Sequence, residues 1–464
     1  FDSDHMSSVF TTTLETLGLK YIRVQFGPDW DKIPVPPPAC NDETRVTDVV
    51  SMSHFIADNF NGDYSTRLAN ALSIANTANN LDIETIFLNW RAHQTWHVSK
   101  TIDISGTPVL TYSRELDEKY VDDYACFIVE NVKFLMEQGV NISYLEPTNE
   151  PSLAISDTLI PPDLYNTFVI SISRYLEERN LSNVKLLAPG LPYLNHDGNI
   201  ITYTMALSDI GVEAISTWSA HAWDPVFYTQ TAEAETLRIK WSEFHPIVDA
   251  KGNKPIFITE SACVNEPDNE ICAAENLLTL YDRGANAVIY WYLKEQSWDA
   301  ITNTKRTLLT QDDHFKPTYE ALDTILPYIA GENTNVLKTN TNGLITVASF
   351  LNVDSRSGKK QVTVSLVNRF TETENISIAI ADTLMSVDQV MYDGNSNSLT
   401  EDSAAAQCQL ERGPQGSVVN CQELGLPSNS ILTLTFTGYN FYLPIIKNLT
   451  SGTKVAQPIL NPSD

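Results

Sequence analysis

The sequence predicts a (β/α)8 barrel followed by an antiparallel β-sandwich. Three observations predict it. From Tyr21 to about Tyr328, short apolar runs alternate with longer stretches of helical period, the pattern of a parallel sheet. The alternation runs on for about 300 residues, which favours a closed barrel over a doubly wound sheet. After Asn333 the pattern changes to alternating β runs separated by turn residues, the signature of a sandwich.

The predicted strands of the first part are 21–26, 84–90, 142–148, 184–188, 214–221, 255–260 and 287–292. Helical patterns fall at 64–79, 116–138, 162–178, 232–248, 270–284 and 317–329. Seven strands are legible, one short of a full barrel. The chain opens on a helix-like segment, 6–17, before which a first strand normally stands. The expectation is that the natural protein extends upstream of Phe1 and carries that strand. The absence of an initial Met and of a signal-peptide pattern points the same way. The sandwich strands read as 344–350, 361–367, 376–381, 387–391 and 431–436, with 404–422 a long loop insertion. The predicted domains are a barrel at 1–332, a sandwich at 333–438 and, at 439–464, an apolar strand with a polar tail.

Composition narrows the function. The net charge of −28 opposes nucleic acid, anionic lipid and polyanionic glycans, but leaves neutral polymers open. An acidic surface also simply keeps a protein in solution. No apolar run is long enough to span a membrane. Cys263 and Cys272 bracket a short loop, as do Cys408 and Cys421, and both spacings suit disulfides. Cys40 and Cys126 are either a third pair or, since Cys126 sits in an apolar helical pattern, unpaired thiols. Sequons begin at Asn141, Asn180, Asn375 and Asn448. Together these features point to a secreted or cell-surface glycoprotein. No CxxC motif, metal-ligand cluster, phosphate-binding glycine loop or Gly-x-Ser-x-Gly elbow occurs, so no metal and no cofactor is expected. Oligomeric state is not legible.

Two glutamates carry the chemistry. Glu150, in Tyr144-Leu145-Glu146-Pro147-Thr148-Asn149-Glu150-Pro151, and Glu260, in Ile256-Phe257-Ile258-Thr259-Glu260, each close an apolar strand-like run. In a barrel both would stand at the C-terminal mouth, where an acid/base and a nucleophile act on a glycosidic bond. Asn149 is suited to bind a sugar hydroxyl beside the reacting carbon. Glu146 alternates onto the same strand face as Glu150 and reads as a paired polar residue of the barrel interior. The competing reading makes both Glu150 and Glu260 ordinary loop glutamates; two strand ends of this kind argue against it.

The Asn149-Glu150-Pro151 motif, the strand ending at Glu260 and the trailing sandwich resemble the retaining (β/α)8 glycoside hydrolases of clan A. The runs Val347-Ala348-Ser349-Phe350-Leu351-Asn352, Val364-Ser365-Leu366-Val367-Asn368-Arg369 and Leu426-Pro427-Ser428-Asn429-Ser430-Ile431 make the chain most similar to glycoside hydrolase family thirty. That family includes glucosylceramidase-like enzymes, β-1,6-glucanases, β-1,6-galactanases and xylanases. The resemblance implies Glu150 as acid/base, Glu260 as nucleophile, and double displacement on a β-linked neutral glycan. It implies that Arg23 bonds the nucleophile, and a charge inside a buried strand needs such a partner. Trp291 matches the tryptophan that floors the sugar subsite. Trp90 ends a predicted strand, Trp30 and Trp96 follow strand ends, and all three offer stacking faces, though each fits core packing equally well. Where the clan often has His-x-Tyr, this chain has His221-Ala222-Trp223; an indole is not expected to donate to the nucleophile as that hydroxyl does, and Tyr228 is a candidate substitute. The alternative from another class is a non-catalytic carbohydrate-binding or structural extracellular protein built on such a barrel.

Overall fold

A computed structural model describes residues 8–25, 33, 35–40, 52–61, 65–89, 91–104, 107–152, 158–192, 194, 200–223, 234–263, 269–291, 293, 307–310, 312–329, 334–337, 345–353, 359–369, 372–381, 384–396, 398–402, 408–413, 416–438 and 445–448. The chain divides into two compact units, Phe1–Ala330 and Gly331–Asp464.

The first unit opens with α1 (Ser8–Thr16), β1 (Tyr21–Gln25), α2 (Met52–Asn61), α3 (Ser65–Asn80) and β2 (Glu84–Leu88). A hairpin of β3 (His97–Ile104) and β4 (Thr107–Leu116) follows, then α4 (Val121–Glu137), β5 (Ile142–Glu146), α5 (Pro162–Glu178) and β6 (Lys185–Leu191). Next come α6 (Ile200–Ala206), α7 (Asp209–Ala214), β7 (Thr217–His221), α8 (Ala234–Lys251), β8 (Ile256–Ser261), α9 (Asn269–Arg283) and β9 (Ala287–Tyr290). The unit ends with α10 (Pro317–Asp323) and α11 (Leu326–Ile329).

Seven strands pair in parallel in the order β1-β2-β5-β6-β7-β8-β9. The end strands β1 and β9 approach each other, so the sheet curls into a nearly closed barrel. Its interior is packed, not open: Ile86, Tyr144, Leu187 and Phe257 form a buried layer, with Tyr21 against Phe257 at 5.0 Å between ring centroids. The helices pack outside through residues such as Phe127 and Phe168, which are fully buried. Among the described residues no helix is long and apolar enough to cross a membrane.

The second unit comprises β10 (Thr334–Leu337), β11 (Thr346–Val353), β12 (Lys360–Asn368), β13 (Glu374–Ala381), β14 (Leu384–Asp393), β15 (Ser398–Asp402), β16 (Cys408–Gly413), β17 (Gly416–Leu426), β18 (Ser430–Gly438) and β19 (Ile445–Asn448). They form antiparallel sheets ordered β10-β11-β12-β18-β14-β15 and β16-β17-β13-β19. Val364 and Phe436 of one sheet share a buried cluster with Ile376 and Leu424 of the other, the packing of a sandwich. The segment expected to be a loop at 404–422 instead supplies hairpin β16–β17. A proline and glycines in the sequence between the two runs (Gly413-Pro414-Gln415-Gly416) read as loop and hide them from a pattern reading. β19 pairs with β13 at the sheet edge.

Candidate active site

The mouth of the barrel gathers residues from β1, β5, β6, β7 and β8 and from the segments that follow the strands. Glu146 is the last residue of β5, and Glu150 lies four positions beyond it. Glu150 takes the left-handed conformation, φ 47°, uncommon for a residue with a side chain. Two contacts hold it there. Its N–H donates to the Gly190 carbonyl at 3.0 Å. The Tyr203 hydroxyl bonds the Pro151 carbonyl at 3.0 Å and the Ile160 carbonyl, anchoring the segment that follows. The direction of Glu150 is therefore set by Gly190 and its own φ, in addition to the stop at Pro151.

Gly190 is an extra residue in β6. Pro189 pairs with Ser219 and Leu191 with Ala220, and Gly190 bulges between them at φ 63°. A second bulge sits in β8, where Ala220 pairs with Ile258 and His221 with Glu260. Without it, Thr259 and Glu260 would face opposite sides of the sheet. With it, both side chains reach the same cluster: the Thr259 hydroxyl donates to Glu146 Oε1 at 2.8 Å, and Glu260 Oε1 receives Arg23 Nη1.

Arg23 of β1 is the hub. Its Nε donates to Glu146 Oε2 at 2.6 Å and its Nη2 to Asn149 Oδ1 at 2.8 Å, beside the bond to Glu260. The Trp223 indole N–H donates to Glu260 Oε2 at 3.1 Å. The indole therefore does donate to Glu260 where a tyrosine hydroxyl stands in the resembled clan, contrary to the expectation that it could not serve in that way. His221 is fully buried, with Nδ1 2.9 Å from Glu150 Oε1 and 3.3 Å from Glu260 Oε2. One oxygen of Glu150 and one of Glu260 lie within 4.8 Å of each other and of the His221 ring.

Burial pushes the Glu260 carboxyl above the ordinary carboxylate range. The charges of His221 and Arg23 work against that rise, Glu150 adds to it, and the net direction is up. For Arg23, burial disfavours the charge, but Glu146 and Glu260 outweigh it and raise its pKa.

Glu150, His221 and Glu260 are also spaced to hold a metal ion. Both oxygens of Glu260 already accept hydrogen bonds, and one donor is a guanidinium cation beside which a dication would be repelled. The arrangement suits a hydrogen-bonded carboxylate pair better than a cation site.

Trp291 lies half-buried beside Trp223, with ring centroids 5.4 Å apart in an edge-on arrangement. Trp96 is different. It is buried among Tyr120, Tyr124 and Phe127, so its faces are used by the core and it offers no sugar platform. Trp30, Trp90 and Tyr228 lie outside the described residues. Cys263 and Cys272 form a disulfide just beyond Glu260, with Cα atoms 5.9 Å apart. Cys40 and Cys126 also pair, which decides between the two readings of Cys126. Cys408 and Cys421 are cross-strand partners, and Cys421 is disulfide-bonded. The site residues that sequence reasoning missed are Thr259 and Gly190. A Pro-Gly pair directly after an apolar run, Pro189-Gly190, was the signal available for the second.

No protein-family profile matches the chain, and no curated protein does. Solved structures do. The family 30 subfamily 8 xylanase Xyn30A of Clostridium acetobutylicum superposes with a TM-score of 0.61 at 17% identity, over 93% of either chain. A family 30 endoxylanase of Clostridium papyrosolvens C71 gives 0.62 at 15% identity, over 93% of this chain and 92% of the other. The catalytic domain of the family 30 xylanase C of Talaromyces cellulolyticus gives 0.61 at 15%, over 93% of both. At such identities the likeness is one of fold: this chain has the barrel and β-rich architecture of the family 30 xylanases.

Proposed function

We propose that the protein is a retaining glycoside hydrolase of family 30 type, secreted, acting on a β-linked neutral glycan. The observation that carries this reading is the approach of Glu150 and Glu260 oxygens to within 4.8 Å. Carboxyl groups about 5–5.5 Å apart suit direct displacement, whereas inverting enzymes hold them roughly 6.5–9.5 Å apart to seat a water, and oxygens this close favour the nearer arrangement. Similarity of fold to xylanases puts xylan first among candidate substrates.

In this reading Glu150 protonates the glycosidic oxygen while Glu260 attacks the anomeric carbon, and the leaving alcohol departs with the proton. A water then gives its proton to Glu150 and attacks the same carbon, releasing the sugar and the Glu260 carboxylate. Arg23 and Trp223 hold the two Glu260 oxygens so that one lone pair is aimed. The raised pKa leaves Glu260 a more basic, hence stronger, nucleophile once ionised. Asn149, fixed by Arg23, binds the hydroxyl next to the reacting carbon. Trp291 supplies an apolar face to the pyranose.

The test is reducing-sugar release from xylans, β-glucans and β-galactans by wild type and Glu150→Gln, with product anomers followed by NMR. A β-anomer formed first, absent in the variant, is expected. An α-anomer formed first would overturn retention, and no hydrolysis of any polymer would overturn the enzyme reading. Glu260→Ala should be inactive and partly rescued by azide, which occupies the space of the lost carboxylate.

A further inference from the structure

Glu146 is a buried carboxylate with no step in the proposed reaction. It is fully buried, and its polar contacts come from two other strands, Arg23 Nε on Oε2 at 2.6 Å and the Thr259 hydroxyl on Oε1 at 2.8 Å. A buried ion pair is often no more stabilising than apolar packing in its place, so stability alone is a weak reason for a carboxylate here. The geometry of its partner supplies another reason. A guanidinium is a rigid planar fork, and fixing Nε fixes the directions of both Nη groups. Those groups reach Glu260 and Asn149.

We infer that Glu146 is a positioning residue: it clamps Arg23 so that one guanidinium holds both Glu260 and Asn149, and it takes up part of that guanidinium's charge. The effect on turnover rests on the glycosidase reading, whereas the clamp is a property of the folded protein alone. The groups that face Glu146 are Arg23 of β1, Thr259 of β8 and Tyr165 of α5. Those that face Glu260 are Arg23, His221, Trp223 and Glu150. Arg23 bonds both carboxylates, so it transmits what happens at Glu146. With Glu146 neutral, the whole guanidinium charge acts on Glu260, lowering the pH at which Glu260 ionises and weakening it as a nucleophile.

The experiment compares wild type with Glu146→Gln by NMR of carboxyl-labelled glutamate, the Glu260 signal being assigned with Glu260→Gln, together with pH–rate profiles. Glu260 is expected to titrate about one pH unit lower in the variant. The kcat should fall on the order of a hundredfold with KM unchanged, because Glu146 does not touch substrate. Loss of thermal stability with an unmoved Glu260 titration and unmoved kcat would overturn the inference. If the variant does not fold, the wild-type protein decides: the Arg23 Nε–H resonance should be protected from solvent exchange, and rapid exchange would refute the clamp. If wild type cleaves no glycan the functional reading fails, and the titration still tests Glu146.

Discussion

A Cβ at Gly190 would lie 2.7 Å from Glu146 Oε1 and 3.2 Å from the Thr148 carbonyl oxygen. The bulge residue of β6 is thereby pressed against the carboxylate that carries Arg23, while its own carbonyl receives the Glu150 N–H. Gly190→Ala meets two penalties, the left-handed φ and the collision. Together they should destabilise the protein by about 2–3 kcal/mol. Denaturant unfolding measures this, and activity should fall more than stability does because both glutamates lose their seating. An alanine variant as stable and active as wild type would mean that Gly190 does not set this geometry.

The raised pKa of Glu260 has a definite sign in kinetics. In the proposed reaction Glu260 must be ionised to attack, so activity should rise with pH through that pKa, and the acid limb of kcat/KM should lie above the usual carboxylate range near 4.3. Trp223→Phe removes the N–H that stabilises the anion but keeps an aromatic ring. One hydrogen bond to a charged group is worth about 1.5 kcal/mol, so the limb should move up by roughly one pH unit. A limb that stays in place would deny the indole this role.

The sequence displayed the barrel because each strand is a short apolar run and each helix has its own period. Glu150 and Glu260 stood out as carboxylates closing such runs, and Arg23 as a charge inside one. Pattern reading fails where periodicity breaks. The bulges at Gly190 and in β8 shift the side-chain alternation, so strict period-two reading puts Thr259 and Glu260 on opposite faces when both face the cluster. The donation from Trp223 was hidden for another reason: residue type says that an indole can donate, but only the path of the chain after β7 aims it. Trp96 shows the converse, since a tryptophan after a strand end carries no mark distinguishing core from pocket.

The two disulfides with defined partners enclose very different lengths of chain, with separations of 86 residues for Cys40–Cys126 and 9 for Cys263–Cys272. If cross-links act mainly by restricting the unfolded chain, Cys126→Ser should cost about 4–5 kcal/mol and Cys272→Ser about 2–3 kcal/mol. The ranking is checked by urea unfolding under non-reducing conditions, with peptide mapping to confirm each link in the wild type. Equal costs would point to local effects in the folded state. The shorter link should matter more for activity than for stability, because it follows Glu260 and is packed against Tyr290 beside the site.

Trp291 touches the site in two ways that kinetics can separate. Its ring meets Trp223 edge-on, 65° between planes, and its N–H along the backbone donates to the Ser261 carbonyl at 2.9 Å, next to Glu260. As a sugar platform alone, Trp291→Ala would raise KM and leave kcat intact, since binding lost equally from substrate and transition state appears only in KM. As a support for Trp223 it also affects the donor to Glu260, and kcat falls too. Losing one aromatic contact is worth about 1 kcal/mol, so KM should rise on the order of fivefold, with a kcat decrease of similar size. Trp291→Phe, which keeps an aromatic edge against Trp223, should restore kcat more fully than KM. A variant in which KM rises and kcat does not move would confine Trp291 to substrate binding.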